Sequence, residues 1–429
     1  MARQVVQLLP ASSADRRRAL EEVKDFALTD MGYGEDVRWT YKLLREPALT
    51  DELCRLAHPS STVGTHSVTF QPCRSYEQRS QDRHVVDRWD FGGGGTWVFT
   101  GHVNHDTVEY ATEKLPSLVR MSLESLLART TSPSPARISD LLSEAIAEVD
   151  SAIMSDFLST FAQGDLEPPH THPEFAKTLL SDDRRARHCR IVSRALGGTT
   201  ALVTLYNQIH GDLWVANVGD CCAVLGTWDG TGWSATLINS IHNCSNIAEV
   251  SRVISEHPPH EVCVEDERIL GWLAPTRAIG DFWLKLPRMY TEDVFIHFDA
   301  MQKESLHKYL PRLQTPPYVS AKADVYHRRI RGRQGEAAPR DVFLITCTDG
   351  MLDLAHPEPL QLSQQLIDRW VGVVGRAWQQ RGMQPLNLAL ELLRNSIGGD
   401  DTELMSRNLT VEMDERWMDD TTILVQCFS

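Results

Sequence analysis

The sequence predicts an α+β fold. Strand-like segments are followed by long helical patterns, then by strands, helices and strands again, an order that does not fit regular βαβ repetition. The stretch 341–350, Asp-Val-Phe-Leu-Ile-Thr-Cys-Thr-Asp-Gly, is apolar without alternation, which suits a strand of a buried sheet. Its last residues, Asp349 and Gly350, put a carboxylate at the mouth of that sheet.

Residues 1–60 read as an N-terminal arm with a charged helical stretch over 14–28 and no evident chemistry. Residues 61–429 read as the main domain, with Pro-rich or charged loop insertions near 130–136, 165–190 and 326–340. Within it, Ser67-Val-Thr-Phe-Gln, His84-Val-Val and Gly95-Thr-Trp-Val-Phe-Thr are rich in β-branched and aromatic residues bounded by turns, so strands are expected there. The glycine run at 92–95 reads as a hairpin loop; its unbroken glycines do not have the spacing of a phosphate cradle. Helices are expected over 106–115, 118–129 and 138–161, the last with apolar residues recurring every third or fourth position. Strands return at 199–209 and 213–225, joined by a turn over 207–211.

The ends of these strands carry the chemistry. Leu213-Trp-Val-Ala-Asn-Val-Gly-Asp closes on Asp220, and Asp419-Asp420 opens the strand that continues to Gln426. With Asp349, three strands thus offer carboxylates at their ends. Hard oxygen donors of this kind select Mg²⁺ or Mn²⁺ over softer metals, so a hydrolytic site is expected. Aspartate beside glycine also serves turns, which is the structural alternative at each position.

Composition excludes several classes. A net charge of −15 and an acidic pI near 5.5 argue against nucleic acid, whose phosphates call for a surplus of Lys and Arg. Nine scattered cysteines, with no C-x-x-C pair, indicate neither a zinc site nor a disulfide framework. No apolar run approaches the ~20 residues a membrane-spanning helix needs, so a soluble intracellular protein is expected. Arg3, Arg16, Arg17 and Arg18, with no acid before Asp15, faintly resemble an organelle presequence, which Glu21, Glu22 and Asp25 dilute.

Five motifs in order then carry a resemblance. Gly197-Gly-Thr-Thr, the 213–220 strand, Leu273-Ala-Pro-Thr-Arg-Ala-Ile-Gly-Asp, Thr348-Asp-Gly and Asp419-Asp-Thr-Thr resemble the motif series of metal-dependent serine/threonine phosphatases of type 2C. His242-Asn, Glu256-His-Pro, Arg268-Ile-Leu-Gly and Gln314-Thr-Pro-Pro-Tyr are closer to the mitochondrial pyruvate dehydrogenase phosphatase branch of that family. The resemblance implies a four-layer α-β-β-α sandwich, two antiparallel sheets flanked by antiparallel helices, with a two-metal cleft at one edge. It implies Mg²⁺ or Mn²⁺ as cofactor, and a phosphoprotein as substrate, including a 2-oxoacid dehydrogenase complex. The mitochondrial matrix is the expected compartment on that branch, the cytoplasm otherwise.

Matched residue by residue, Asp349 and Asp419 fall on metal ligands, Gly101 on a glycine offering its carbonyl, and Asp82 on the acidic pair near the first strands. Asp220 falls on a ligand of an additional, weaker metal. His102 occupies the place of a general acid for the leaving oxygen, in a mechanism where a metal-activated water attacks phosphorus in line. Arg79 is the candidate phosphate-binding residue, and Asp281 is expected to be structural. Two departures stand out. Thr100 occupies the position of the aspartate that bridges both metals in the family pattern Val-Phe-Asp-Gly-His-Gly/Ala; alternatively, about four residues are absent between Thr100-Gly101 and His102. Gln81 replaces a glutamate. Both readings leave the bridging carboxylate missing, which favours a degenerate, binding-only relative as the second hypothesis.

Overall fold

The computed structural model describes residues 24–34, 37–62, 64–73, 80–90, 92–162, 185–297, 303–330, 341–354, 362–380, 386–413 and 415–428. Two antiparallel sheets dominate. One has six strands in the order Trp233–Leu237, Cys222–Trp228, Asp341–Cys347, Thr421–Phe428, Thr65–Phe70 and Ser60–Thr62. The other has seven, with Gly93–His102 at its centre, pairing with Asp82–Trp89, Gly198–Thr199 and Ala201–Asn207.

The central strands are apolar on both sides because both sides are covered. In Asp341–Cys347, Phe343, Ile345 and Cys347 enter an outer core with the helices Gln364–Gln379, Leu388–Ser396 and Ala48–Ala57. Val342 and Leu344, one residue out of phase, enter a core between the sheets with Val98, Leu202, Val215 and Leu424. A third core joins Trp97, Phe99, Val203 and Leu205 to the helices Asp106–Arg129 and Pro135–Ala162. Three apolar interfaces separate four layers, and the period-two alternation of strand side chains assigns each residue to one of them.

Several local expectations are revised. The two helices expected over 106–115 and 118–129 are one, Asp106–Arg129, running through Pro116. Proline in a helix interior forfeits one backbone bond, at roughly 3 kcal/mol; burial of Leu115, Pro116, Val119 and Leu123 on one stripe offsets that loss. Glycines 93–95 lie inside a strand, where a Cβ on Gly94 would approach Asp87 O at 2.7 Å; the turn is tighter and precedes them. Residues 26–29 form a strand paired with Trp39–Lys42 where the tail of a helix was expected. The loop expected from residue 326 begins later, because Asp324–Arg329 is an edge strand on Asp212–Val218. The 165–184 part of the second insertion, residues 331–340 and Arg79 lie outside the described residues.

Leu344 is 1% exposed between the sheets, whereas Ile247 is 82% exposed on a helix. Leu344→Ala should destabilise the protein by about 2–5 kcal/mol, and Ile247→Ala by no more than about 0.5 kcal/mol. Urea midpoints of the two variants at unchanged slope check this; equal shifts would contradict the inter-sheet core.

Candidate active site

Thr348 ties three strand ends together. Its hydroxyl donates to Asp82 Oδ2 at 2.8 Å and accepts from Thr422 N at 2.9 Å, while Thr348 N donates to Thr422 O at 3.1 Å. Gly350 lets the chain close here, since a Cβ would lie 2.1 Å from Asp420 O. Asp349 is thereby fixed between the Asp82 strand and the Asp419–Asp420 turn.

The carboxyl groups of this junction act on one another. Burial and the fields of Asp420 and Asp419 push Asp82 up to about 8. Burial, then Asp220, Asp419, Asp82 and Asp353, raise Asp349 well above the usual carboxylate range. Asp220 is pushed up to about 6, chiefly by burial and with Asp419 adding to it, against the opposing pull of its own backbone N–H, His102 and Arg268. Burial also raises Asp419, whose neighbours include Arg416 and Arg268.

Two oxygens, Asp82 Oδ1 and Asp349 Oδ1, are buried with no hydrogen-bond partner. Buried acceptors normally find one, so an acidic cluster with orphaned oxygens and raised pKa values suits a cation. Hard oxygen donors alone fit Mg²⁺ or Mn²⁺. The set is loose, however. Among the described residues, the one His/Cys/Asp/Glu group whose ligand atoms all lie within 4.8 Å of one another is His257, Glu261 and Cys263, away from these aspartates in sequence.

The adjacent aspartates divide their work. Asp420 is 2% exposed and spends its oxygens on Gln81 N at 2.7 Å, Gln71 Nε2 at 3.0 Å and Arg416 Nη2 at 2.5 Å. Asp419 is half-exposed, caps only Asp420 N at 2.8 Å, and has Arg416 at 3.6 Å. Of the pair, Asp419 is the one available to a ligand.

His102 Nε2 lies 2.7 Å from Asp281 Oδ2, a carboxylate with no exposure. Burial alone would lower this imidazole, yet the Asp281 charge and hydrogen bond, with Asp220, raise it above its ordinary value. Gly198 makes room for the pair: a Cβ there would sit 2.1 Å from both His102 Nε2 and Asp281 Oδ2. The Gly-Gly-Thr-Thr motif thus serves the His–Asp contact, and Asp281, expected from sequence only as a structural residue, holds His102 by its side chain.

Gly101 is buried in the central strand, its N–H donating to Gln81 O at 3.3 Å. Thr100 is the cross-strand partner of Asp82, and its Oγ1 lies 3.7 Å from Cys221 Sγ, beside Asp220. Asp82, Asp349, Asp419, Asp220 and His102 thus lie near enough to act on one another's charge. Arg416 and Arg268 were missed. Arg416 had a signal in its i,i+3 and i,i+4 spacing to Asp419 and Asp420; Arg268 stood in the Arg268-Ile-Leu-Gly motif, but its approach to the aspartates depends on tertiary folding.

Comparison with known proteins agrees. The family described as protein phosphatase 2C matches residues 95–367, more than half of the chain. A protein phosphatase 2C homolog of Schizosaccharomyces pombe is 27% identical over 83% of this chain and 78% of its own length. The human mitochondrial phosphatase 2 of pyruvate dehydrogenase is 30% identical over 55% of this chain, and the match spans about half of that relative, 48%. Among solved structures, the serine-threonine phosphatase 2C of Toxoplasma gondii superposes with a TM-score of 0.51 at 15% identity, covering 87% of this chain and 98% of that one, a likeness of fold. By its family match, its fold and the strand-end carboxylates gathered at one sheet edge, the chain belongs to the protein phosphatase 2C family of metal-dependent serine/threonine phosphatases.

Proposed function

We propose that this chain removes phosphate from phosphoserine or phosphothreonine in proteins, using Asp82, Asp349, Asp419 and Asp220, with the Gly101 carbonyl, to hold Mg²⁺ or Mn²⁺. The observation that carries this reading is the pair of buried, unpartnered oxygens on Asp82 and Asp349. A divalent ion there would supply positive charge to the phosphoryl oxygens and lower the pKa of a water. Asp281 holds His102 through Nε2, so Nδ1–H is the donor left for the departing serine or threonine oxygen. Arg416 and Arg268 add positive charge beside Asp419, and Arg79 keeps its place as a phosphate-binding candidate. Similarity to the pyruvate dehydrogenase phosphatases supports a 2-oxoacid dehydrogenase complex as substrate and the mitochondrial matrix as compartment. No helix among the described residues is long and apolar enough to cross a membrane.

A second reading rests on Thr100. A hydroxyl occupies the face where a bridging carboxylate is expected, so the chain would bind phosphoproteins through a weakened metal site without turning them over. Phosphopeptide hydrolysis with millimolar Mn²⁺ separates the two. Under the first reading the unmodified chain is active and Asp349→Asn loses more than about 100-fold in kcat/KM. Under the second the unmodified chain is inactive, and either Thr100→Asp or insertion of Val-Phe-Asp-Gly after Gly101 restores turnover. Inactivity of all forms would remove both readings.

A pH dependence follows for the metal-free protein. Asp82, Asp220 and Asp349 keep protons in the folded state at pH values where unfolded carboxyls have lost them, so raising pH above about 4 costs stability. His102 has the same sign: its contribution is present below 6.5 and is lost as pH rises through its higher folded value. The melting temperature of the chelated protein should fall between pH ~5 and pH ~8. Mn²⁺ should raise it more at the higher pH, and Asp82→Asn should flatten the slope. A metal-free melting temperature that rises across this range would contradict the clustered carboxylates.

A further inference from the structure

A second donor cluster lies outside the carboxylate cleft. The helix Ile247–Ser255 ends, and the chain turns back on a Glu261 N to Pro258 O hydrogen bond of 2.9 Å. That turn brings a ring nitrogen of His257, a carboxylate oxygen of Glu261 and Cys263 Sγ within 4.8 Å of one another. The three residues are 8%, 8% and 2% exposed.

The protein donors around the cluster leave valences free. Thr315 Oγ1 lies 2.8 Å from His257 Nδ1 and donates to Glu261 Oε2 at 2.6 Å, and Tyr318 OH donates to Glu261 Oε1. With its hydroxyl proton spent on Glu261, Thr315 accepts from Nδ1–H, which leaves the lone pair on Nε2. That nitrogen is buried and has no partner. Cys263 Sγ reaches only the Glu261 carbonyl, at 3.8 Å. Burial, with Glu261, pushes the thiol up to about 11. Glu261 itself is held low: burial opposes ionisation, but the hydrogen bonds from Thr315 and Tyr318 outweigh it. The Tyr318 ring stacks on the imidazole at 4.4 Å and 12°.

We propose that His257, Glu261 and Cys263 form a three-ligand site for a zinc-class divalent ion, its fourth position left to water, distinct from the carboxylate cleft. Imidazole, carboxylate and thiolate together select Zn²⁺ over Mg²⁺ or Mn²⁺. Ligand bonds of about 2.0–2.3 Å place donors roughly 3.3–3.8 Å apart in a tetrahedron, so donors at the 4.8 Å limit would close by about 1–1.5 Å. Thr315 is the outer partner that fixes the histidine tautomer, as such partners do at zinc sites. The ion would close the 257–263 turn on itself, and the hydrogen bonds of Thr315 and Tyr318 tie that turn to 314–318. Leu270 N donates to Cys263 O at 2.8 Å, so the closed turn anchors the hairpin of Val264–Glu265 and Arg268–Ile269. Arg268, whose charge reaches Asp220 and Asp419, is carried on that hairpin.

The test uses the full chain, purified with Mg²⁺ and without chelator, then desalted. Elemental analysis should find about one zinc per chain in the unmodified protein and in Asp349→Asn, and a loss of at least about 10-fold in zinc affinity in Cys263→Ser and His257→Ala. Cobalt titration of the unmodified chain should give a near-ultraviolet thiolate-to-cobalt band that Cys263→Ser abolishes. Circular dichroism separates loss of metal from loss of fold. Absence of both zinc retention and the cobalt band in the folded, unmodified chain would overturn the site, leaving a hydrogen-bonded clamp. Retention or a band that survives Cys263→Ser would overturn it equally. Hydrolysis of phosphopeptide is not the readout, so failure here is distinguishable from failure at the cleft.

Discussion

Burial of clustered carboxyl groups, reinforced by their mutual repulsion, governs this molecule's functional edge. Asp82, Asp220, Asp349 and Asp419 are brought to one place by strands that have independent reasons to be there, and each is raised by burial and by at least one of the others or by Asp420. Arg416 answers part of this charge, but its closest partner is Asp420, which is already bonded to Gln81 and Gln71. The cleft therefore stores unfavourable electrostatic energy that protons or cations relieve. Proton uptake relieves this energy, and under the proposed function metal binding would relieve it too, which would link pH, metal and stability in one site.

The sandwich is what makes this concentration tolerable. Strands covered on both faces supply apolar contact along their length, so a few unfavourable groups at their ends can be carried by the burial behind them. Ile345 and Leu344 face opposite cores within the strand that ends beside Asp349. The same strand alternation places Thr100, two residues from Val98, on the inter-sheet face with its cross-strand partner Asp82. Position along the strand sets chemistry, and the packing sets position.

Much of this was legible in sequence, for identifiable reasons. The Asp349 strand declared itself because seven apolar or small residues ran into Asp-Gly, and Asp220 did so through Gly219, which takes a φ of +111° at the turn. The choice of Asp419 over Asp420 was implied only by motif position; it became physical once the hydrogen bonds of Asp420 were visible. Pro116 misled because a proline's local cost is readable from sequence, whereas the tertiary burial that offsets it is not. The role of Gly198 was likewise hidden, since nothing local shows that a histidine and an aspartate 179 positions apart meet above it. The His257, Glu261 and Cys263 cluster matched no familiar ligand spacing, and only the turn at Pro258 brings it together.

The two explanations of Thr100 differ in what they ask of the backbone. Exchange of one strand residue for another alters charge and volume but leaves the neighbouring dihedrals undisturbed. Loss of residues shortens the path between the strand and the helix Asp106–Arg129, and the remaining chain must absorb the difference. Val103, three residues on, has a φ of +71°. A β-branched residue in this left-handed region is a genuine outlier, costing about 1–2 kcal/mol, whereas the glycine of the family pattern would cost nothing there. The strained Val103 and the threonine at position 100 fall within four residues of one another. Val103 stands where the family pattern has glycine or alanine whether or not residues are missing before His102, so its strain does not choose between the two. What separates them is path length: Thr100→Asp adds a carboxylate to the existing backbone, whereas the insertion adds a carboxylate and also lengthens the connection to Asp106–Arg129.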